Sequence, residues 1–115
     1  MPMSPQPAPR SELVPGTLTL LVLRVLESGP LHGYAIAQRI SRASGDALRV
    51  EEGSLYPALQ KMLKKGWVRA EWGMSDTNRR VRSYRLTPAG RKQLEAERAG
   101  YNQVNQAIQA VLKLA

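Results

Sequence analysis

Ten basic side chains crowd between Gln60 and Lys92 (Lys61, Lys64, Lys65, Arg69, Arg79, Arg80, Arg82, Arg85, Arg91 and Lys92), against two acids, Glu71 and Asp76. Clustered amines and guanidiniums bind polyanions, either nucleic-acid phosphates or an anionic membrane face. Gln60 adds a side-chain amide that donates and accepts at once, as pairing with a base edge requires. Other chemistry lacks its parts. One histidine, His32, no cysteine and no recognisable acidic pair leave no nucleophile–base couple, no thiolate zinc site and no disulfide frame. The expectation is a chain that is not an enzyme and carries no cofactor or metal, with His32 a structural residue at a helix entrance. The formal charge is +8 over 115 residues, and it is local. From Gln93 onward the charges cancel, Glu95 and Glu97 against Arg98 and Lys113.

The elements that must carry these groups follow from apolar spacing and breakers. Residues 1–14, with Pro2, Pro5, Pro7 and Pro9, read as a disordered or polyproline-like tail. A first helix is expected over 15–28, with Pro15 in its first turn and Gly29-Pro30 ending it. It is apolar nearly all round, so it needs burial on two sides, one in its own core and one against a second subunit. A second helix is expected over 33–44, followed by a short extended piece at 48–50. The third, over 54–65, places Leu55, Leu59, Met62 and Leu63 on one stripe. Its opposite arc holds Pro57, Gln60, Lys61 and Lys64, with Tyr56 on the edge. Ser54 is the expected N-cap and Pro57 is expected within the first turn.

A hairpin over 67–86 comes next. Residues 67–72 alternate as a half-buried strand, 73–78 are turn-rich, and 79–86 form the return strand with Arg79, Arg80 and Arg82 near the turn. Trp67 and Trp72 are expected in core and hairpin-base packing. Thr87 caps a last helix and Pro88 opens it. Along that helix Leu94, Tyr101, Val104, Ile108, Val111 and Ala115 recur at heptad spacing, and so long an apolar seam asks for a partner.

Helix, helix, helix and basic hairpin is the order of a winged helix-turn-helix. The fold class expected is mainly α with a small β-wing, a domain over 15–87, and a C-terminal dimerisation helix over 88–115. A major groove admits one helix, and a hairpin with arginines near its tip reaches the neighbouring backbone or minor groove. The expected DNA contacts are Tyr34, Ser54, Tyr56, Gln60, Lys61, Lys64, Arg79, Arg80 and Arg82. The expected dimer contacts are Leu20, Leu23, Leu94, Tyr101, Val104, Ile108 and Val111. Double-stranded DNA and a second copy of the chain are therefore the partners. An RNA-binding or protein-interaction winged-helix module is the alternative. The absence of cysteine, of a membrane-length apolar run and of a secretory leader layout points to the cytoplasm.

Four strings carry a more specific likeness: Leu31-His32-Gly33-Tyr34-Ala35-Ile36, Gly53-Ser54-Leu55-Tyr56-Pro57-Ala58-Leu59, Gly66-Trp67-Val68, and Tyr84-Arg85-Leu86-Thr87-Pro88-Ala89-Gly90. In their order and spacing they resemble the PadR family of bacterial transcriptional regulators, from about Val14 to Glu97. The resemblance implies a homodimeric winged helix-turn-helix, usually a repressor, in the short subgroup with one C-terminal helix. The 76–80 segment resembles that of short members often found beside membrane transporter genes. As in some members, the resemblance also allows a small-molecule effector between subunits, for which the last helix offers Tyr101 as its one aromatic.

Overall fold

The computed structural model describes residues 16–115, so the 1–14 tail and Pro15 lie outside the described residues. The elements run α1 (Thr17–Leu26), β1 (Leu31–His32), α2 (Gly33–Ala43), α3 (Glu52–Lys64), β2 (Val68–Met74), β3 (Arg80–Leu86) and α4 (Pro88–Leu112). The strands form one antiparallel sheet in the order β1-β3-β2. The fold is the winged helix-turn-helix expected from the pattern, with one strand added. β1 is two residues long, too short to show any alternation, and it pairs Leu31 with Tyr84 and His32 with Ser83. The extended piece at 48–50 joins no strand, and its Val50 is tucked into the core.

The core is aliphatic, as a chain without Phe must make it. Val22, Leu23 and Leu26 of α1, Ile36 and Ile40 of α2, and Leu55, Leu59 and Met62 of α3 meet Val68, Tyr84 and Leu94. Tyr84 is the one aromatic in that buried set. Each fully buried side chain of this size contributes roughly 1.5–3 kcal/mol.

Leu23 and Leu94, expected at a dimer interface, are both fully buried within the subunit and offer nothing to a partner. α1 is apolar nearly all round, with Arg24 its one charged residue, so sequence alone does not sort its inward leucines from its outward ones. Leu94 lies in the first turns of α4, which complete the winged-helix core. The division at 87/88 therefore does not separate two cores.

The start of α4 is fastened tightly. The Thr87 hydroxyl accepts from the Gly90 N–H at 3.0 Å and donates to the Gly66 carbonyl at 2.6 Å. The Thr87 N–H donates to the Trp67 carbonyl at 3.1 Å. Gly90 is required there, because a Cβ would overlap the Trp67 carbonyl oxygen. Arg98 adds a half-buried link, 3.8 Å from Glu27 at the end of α1. Beyond it every residue from 99 to 115 is exposed.

Candidate nucleic-acid interface

The α2–α3 pair is positioned by small devices at the helix starts. His32 caps α2, its Nδ1 accepting from the Ala35 N–H at 3.3 Å, which is the structural role expected of it. Gly33 follows, and its missing side chain makes room for Tyr56. A Cβ at Gly33 would stand 3.0 Å from the Tyr56 ring and hydroxyl. The Tyr56 ring thus lies against the start of α2, where Tyr34, the next residue after Gly33, is exposed.

α3 begins earlier than the residue types suggest. Its N-cap is Glu51, and Ser54 sits in the first turn, with the Ser54 and Leu55 N–H groups donating to the Glu51 carbonyl at 3.0 and 2.9 Å. Ser54 is therefore not the cap. No side chain caps this helix start. Pro57 falls inside the helix rather than in its first turn. It has no N–H to offer the carbonyl four residues back, that of Gly53, which stands at an exposed position. Leu55, Leu59 and Met62 are buried, whereas Ser54, Tyr56, Gln60, Lys61 and Lys64 are all exposed. The division between an apolar and a polar face is the one the spacing predicts.

The hairpin tip is a closed turn. Asn78 N–H donates to the Ser75 carbonyl at 2.9 Å, and Ser75 N–H to the Arg79 carbonyl at 2.8 Å. Asn78 holds φ 60°, a left-handed conformation that Asn adopts readily. The turn leaves Arg79 and Arg80 exposed at the head of β3. Arg82 is half-buried and faces Trp72 across the ladder. Arg85 points to the other face, 3.9 Å from Glu71. Trp67 is partly buried, as hairpin-base packing requires, but Trp72 is 60% exposed and is not core. It shares the face of Val68 and Ala70, and the body of the domain ends before the strand does.

Of the remaining residues expected at a dimer contact, Leu20 is half-buried, and Tyr101, Val104, Ile108 and Val111 are exposed along α4. Leu20, Tyr101 and Val104 come together around a cavity of about 430 Å³ between α1 and α4, with Gly16, Thr17 and Gln93 among its other walls. Val104, Ile108, Val111 and Leu112 form a wholly apolar patch on the surface of α4 further along. Leu112 and Leu114 lie outside the stripe that the heptad spacing picks out. They are exposed and lengthen the apolar end of α4, and their size and position are the only signal the sequence holds for them. Among the described residues no helix is long and apolar enough to cross a membrane.

Known proteins share this arrangement. A stretch of 78 residues is 46% identical to part of a 37.1 kDa protein of transposon TN4556 from Streptomyces fradiae, covering 68% of this chain and 21% of that protein. The chain thus spans about a fifth of that relative's length. A stretch of 89 residues is 32% identical to transcriptional regulator Rv3488 of Mycobacterium tuberculosis, over 77% of this chain and 79% of that one. The structure superposes on a transcriptional regulator from Clostridium thermocellum with a TM-score of 0.78 at 26% identity, over 85% and 95% of the two chains. Fold and likeness together define a winged-helix transcriptional regulator rather than an enzyme. Residues 22–96 match the model of the transcriptional regulator PadR-like family, and the chain belongs to that family.

Proposed function

We propose that the chain is a cytoplasmic DNA-binding repressor that grips an inverted-repeat operator as a homodimer. The observation that carries this reading is the exposed face of α3. Gln60, Lys61 and Lys64, with Tyr56 at the edge, stand on a helix whose other face is committed to the core. With α3 in the major groove, Gln60 reads a base edge, preferably adenine, while Lys61 and Lys64 meet phosphates. Ser54, exposed in the first turn of α3, offers its O–H to a phosphate. Tyr34 and Tyr56 add hydroxyls where α2 crosses the backbone. Arg79, Arg80 and Arg82 reach the flanking backbone or minor groove. Two copies joined through Tyr101, Val104, Ile108 and Val111, with Leu20 of the facing α1, present two such surfaces to half-sites roughly 34 Å apart or a multiple of it. In that dimer the cavity beside Leu20 and Tyr101 is the place for a small-molecule effector.

Binding to duplex DNA and to single-stranded RNA, each titrated with salt, tests the reading and its RNA-binding alternative. Duplex affinity is expected to fall steeply between ~50 and ~200 mM salt, because phosphates dominate the contacts. Gln60→Ala is expected to relax preference at one base position by on the order of 1–3 kcal/mol. Arg80→Ala is expected to weaken all sequences alike and to shallow the salt slope by about one unit. Duplex binding indifferent to salt, or a preference for unpaired RNA, would overturn the proposal.

A further inference from the structure

We infer that Trp72 is a positioning residue for the wing, its exposed indole holding the Arg80 and Arg82 guanidiniums in a preset arrangement before any polyanion arrives. The Arg80 guanidinium carbon stands 4.7 Å from the centre of the Trp72 ring. That of Arg82 lies 6.0 Å from the same ring and 5.9 Å from the Tyr84 ring. Cations and rings therefore alternate along one face of the hairpin in the order Arg80, Trp72, Arg82, Tyr84. The inner end is fixed, since Tyr84 is 2% exposed and part of the core. The strand pairing sets the rest: Trp72 lies directly opposite Arg82, and Arg80 is the next residue of β3 on that face.

Core packing does not account for an indole in this place, because most of its surface is in solvent. Nor do acids hold the two arginines. Among the described residues neither forms an ion pair, whereas Arg85, on the opposite face, approaches Glu71. The ring face attracts a cation through its quadrupole. A guanidinium stacked by its plane keeps its in-plane N–H fork free to donate outward. Ordering a long side chain in advance also removes rotamer entropy that binding would otherwise lose. The ladder is thus a way to present two donor forks at fixed positions on a hairpin that extends beyond the domain body. This inference rests on the reading of the wing as a DNA contact.

The test compares duplex affinity and its salt slope for the parent, Trp72→Ala, Trp72→Phe, the Arg80→Ala/Arg82→Ala pair and the triple variant. Trp72→Ala is expected to weaken binding about five- to tenfold, with Trp72→Phe recovering most of the loss. The salt slope should match the parent, because the same cations still meet phosphates. In the background lacking both arginines, Trp72→Ala should change nothing further. An equal loss in both backgrounds would mean that the indole touches DNA itself, and would overturn the inference. A slope reduced by Trp72→Ala would mean a collapsed wing, and would overturn it as well. A second measurement needs no DNA. Ring-current displacement of the Arg80 and Arg82 side-chain proton resonances should be present in the free protein and lost in Trp72→Ala. Its absence from the parent would overturn the inference even where duplex binding is strong. Its presence in a protein that ignores duplex DNA would keep the ladder and sink the proposed function instead.

Discussion

The two halves of α4 share one helix and meet opposite surroundings. From Pro88 to Arg98 the helix is fastened to the winged-helix body by Thr87, by the close approach of Gly90 to Trp67 and by the burial of Leu94. From residue 99 onward every residue stays exposed among the described residues, with only the start of α1 approaching Tyr101 and Val104, although Tyr101, Val104, Ile108 and Val111 keep the same apolar period. The heptad step from Leu94 to Tyr101 crosses the boundary, with Glu97 breaking the stripe between them and Gly100 weakening it, and burial does not cross it at all. An apolar stripe states that a face must be covered. It does not state by which molecule.

The largest effect expected from this contrast comes from removing the free half. Deletion of residues 101–115 removes side chains that are all exposed, so the winged-helix body should still fold. What is lost is the linkage of two half-sites. Operator affinity should fall by about 10²–10⁴, while non-specific affinity per subunit changes little. Sedimentation should find a monomer, or an aggregate formed through the side of α1 around Leu20 that Tyr101 and Val104 no longer face. A stable dimer without those residues would place the interface elsewhere, on α1 alone.

The contrast sharpens when one residue from each half is truncated. Leu94→Ala removes a fully buried side chain and should cost about 2–5 kcal/mol of stability. Its melting temperature should drop by a similar amount at every protein concentration. Ile108→Ala should leave the subunit intact and act through association. Because a dimer's melting point depends on concentration, this variant should flatten that dependence instead. Thermal denaturation over a hundredfold range of protein concentration separates the two. If Leu94→Ala proved concentration-dependent and Ile108→Ala did not, their roles would be exchanged.

The same boundary explains what is legible in the sequence. The order of the elements, the apolar and polar faces of α3 and the cap at Thr87 can be read, because each rests on local spacing or local hydrogen bonding. Leu23 and Leu94 cannot be sorted from Leu20 and Tyr101, since all four satisfy a helical stripe and only the position of the neighbours decides. Trp72 escapes for a related reason. Alternation correctly puts it on the face of Val68 and Ala70, but alternation does not reveal that the body ends before the strand does. Ser54 looks like a cap because its type favours one, while the first turn of α3 closes on the backbone of Glu51. β1, at two residues, has no period to read.

The smallest effect tests the fastening itself. Thr87 is buried, and its hydroxyl does two jobs, accepting from Gly90 N–H and donating to the Gly66 carbonyl. Thr87→Val keeps the shape and removes both bonds, leaving a helix start uncapped and the Gly66 carbonyl without that partner. The expected cost is about 1–2 kcal/mol, in the range of a lost N-cap and of one hydrogen bond left unmade. Thr87→Ser retains the oxygen and should recover most of that stability. Because the free half of α4 is untouched, the dimerisation constant measured on the folded Thr87→Val protein should equal the parent's, and only the unfolding midpoint in urea should move. A change in the dimerisation constant would show that the first turn of α4 sets the angle at which its far half meets a partner. The two halves would then be mechanically coupled rather than merely continuous.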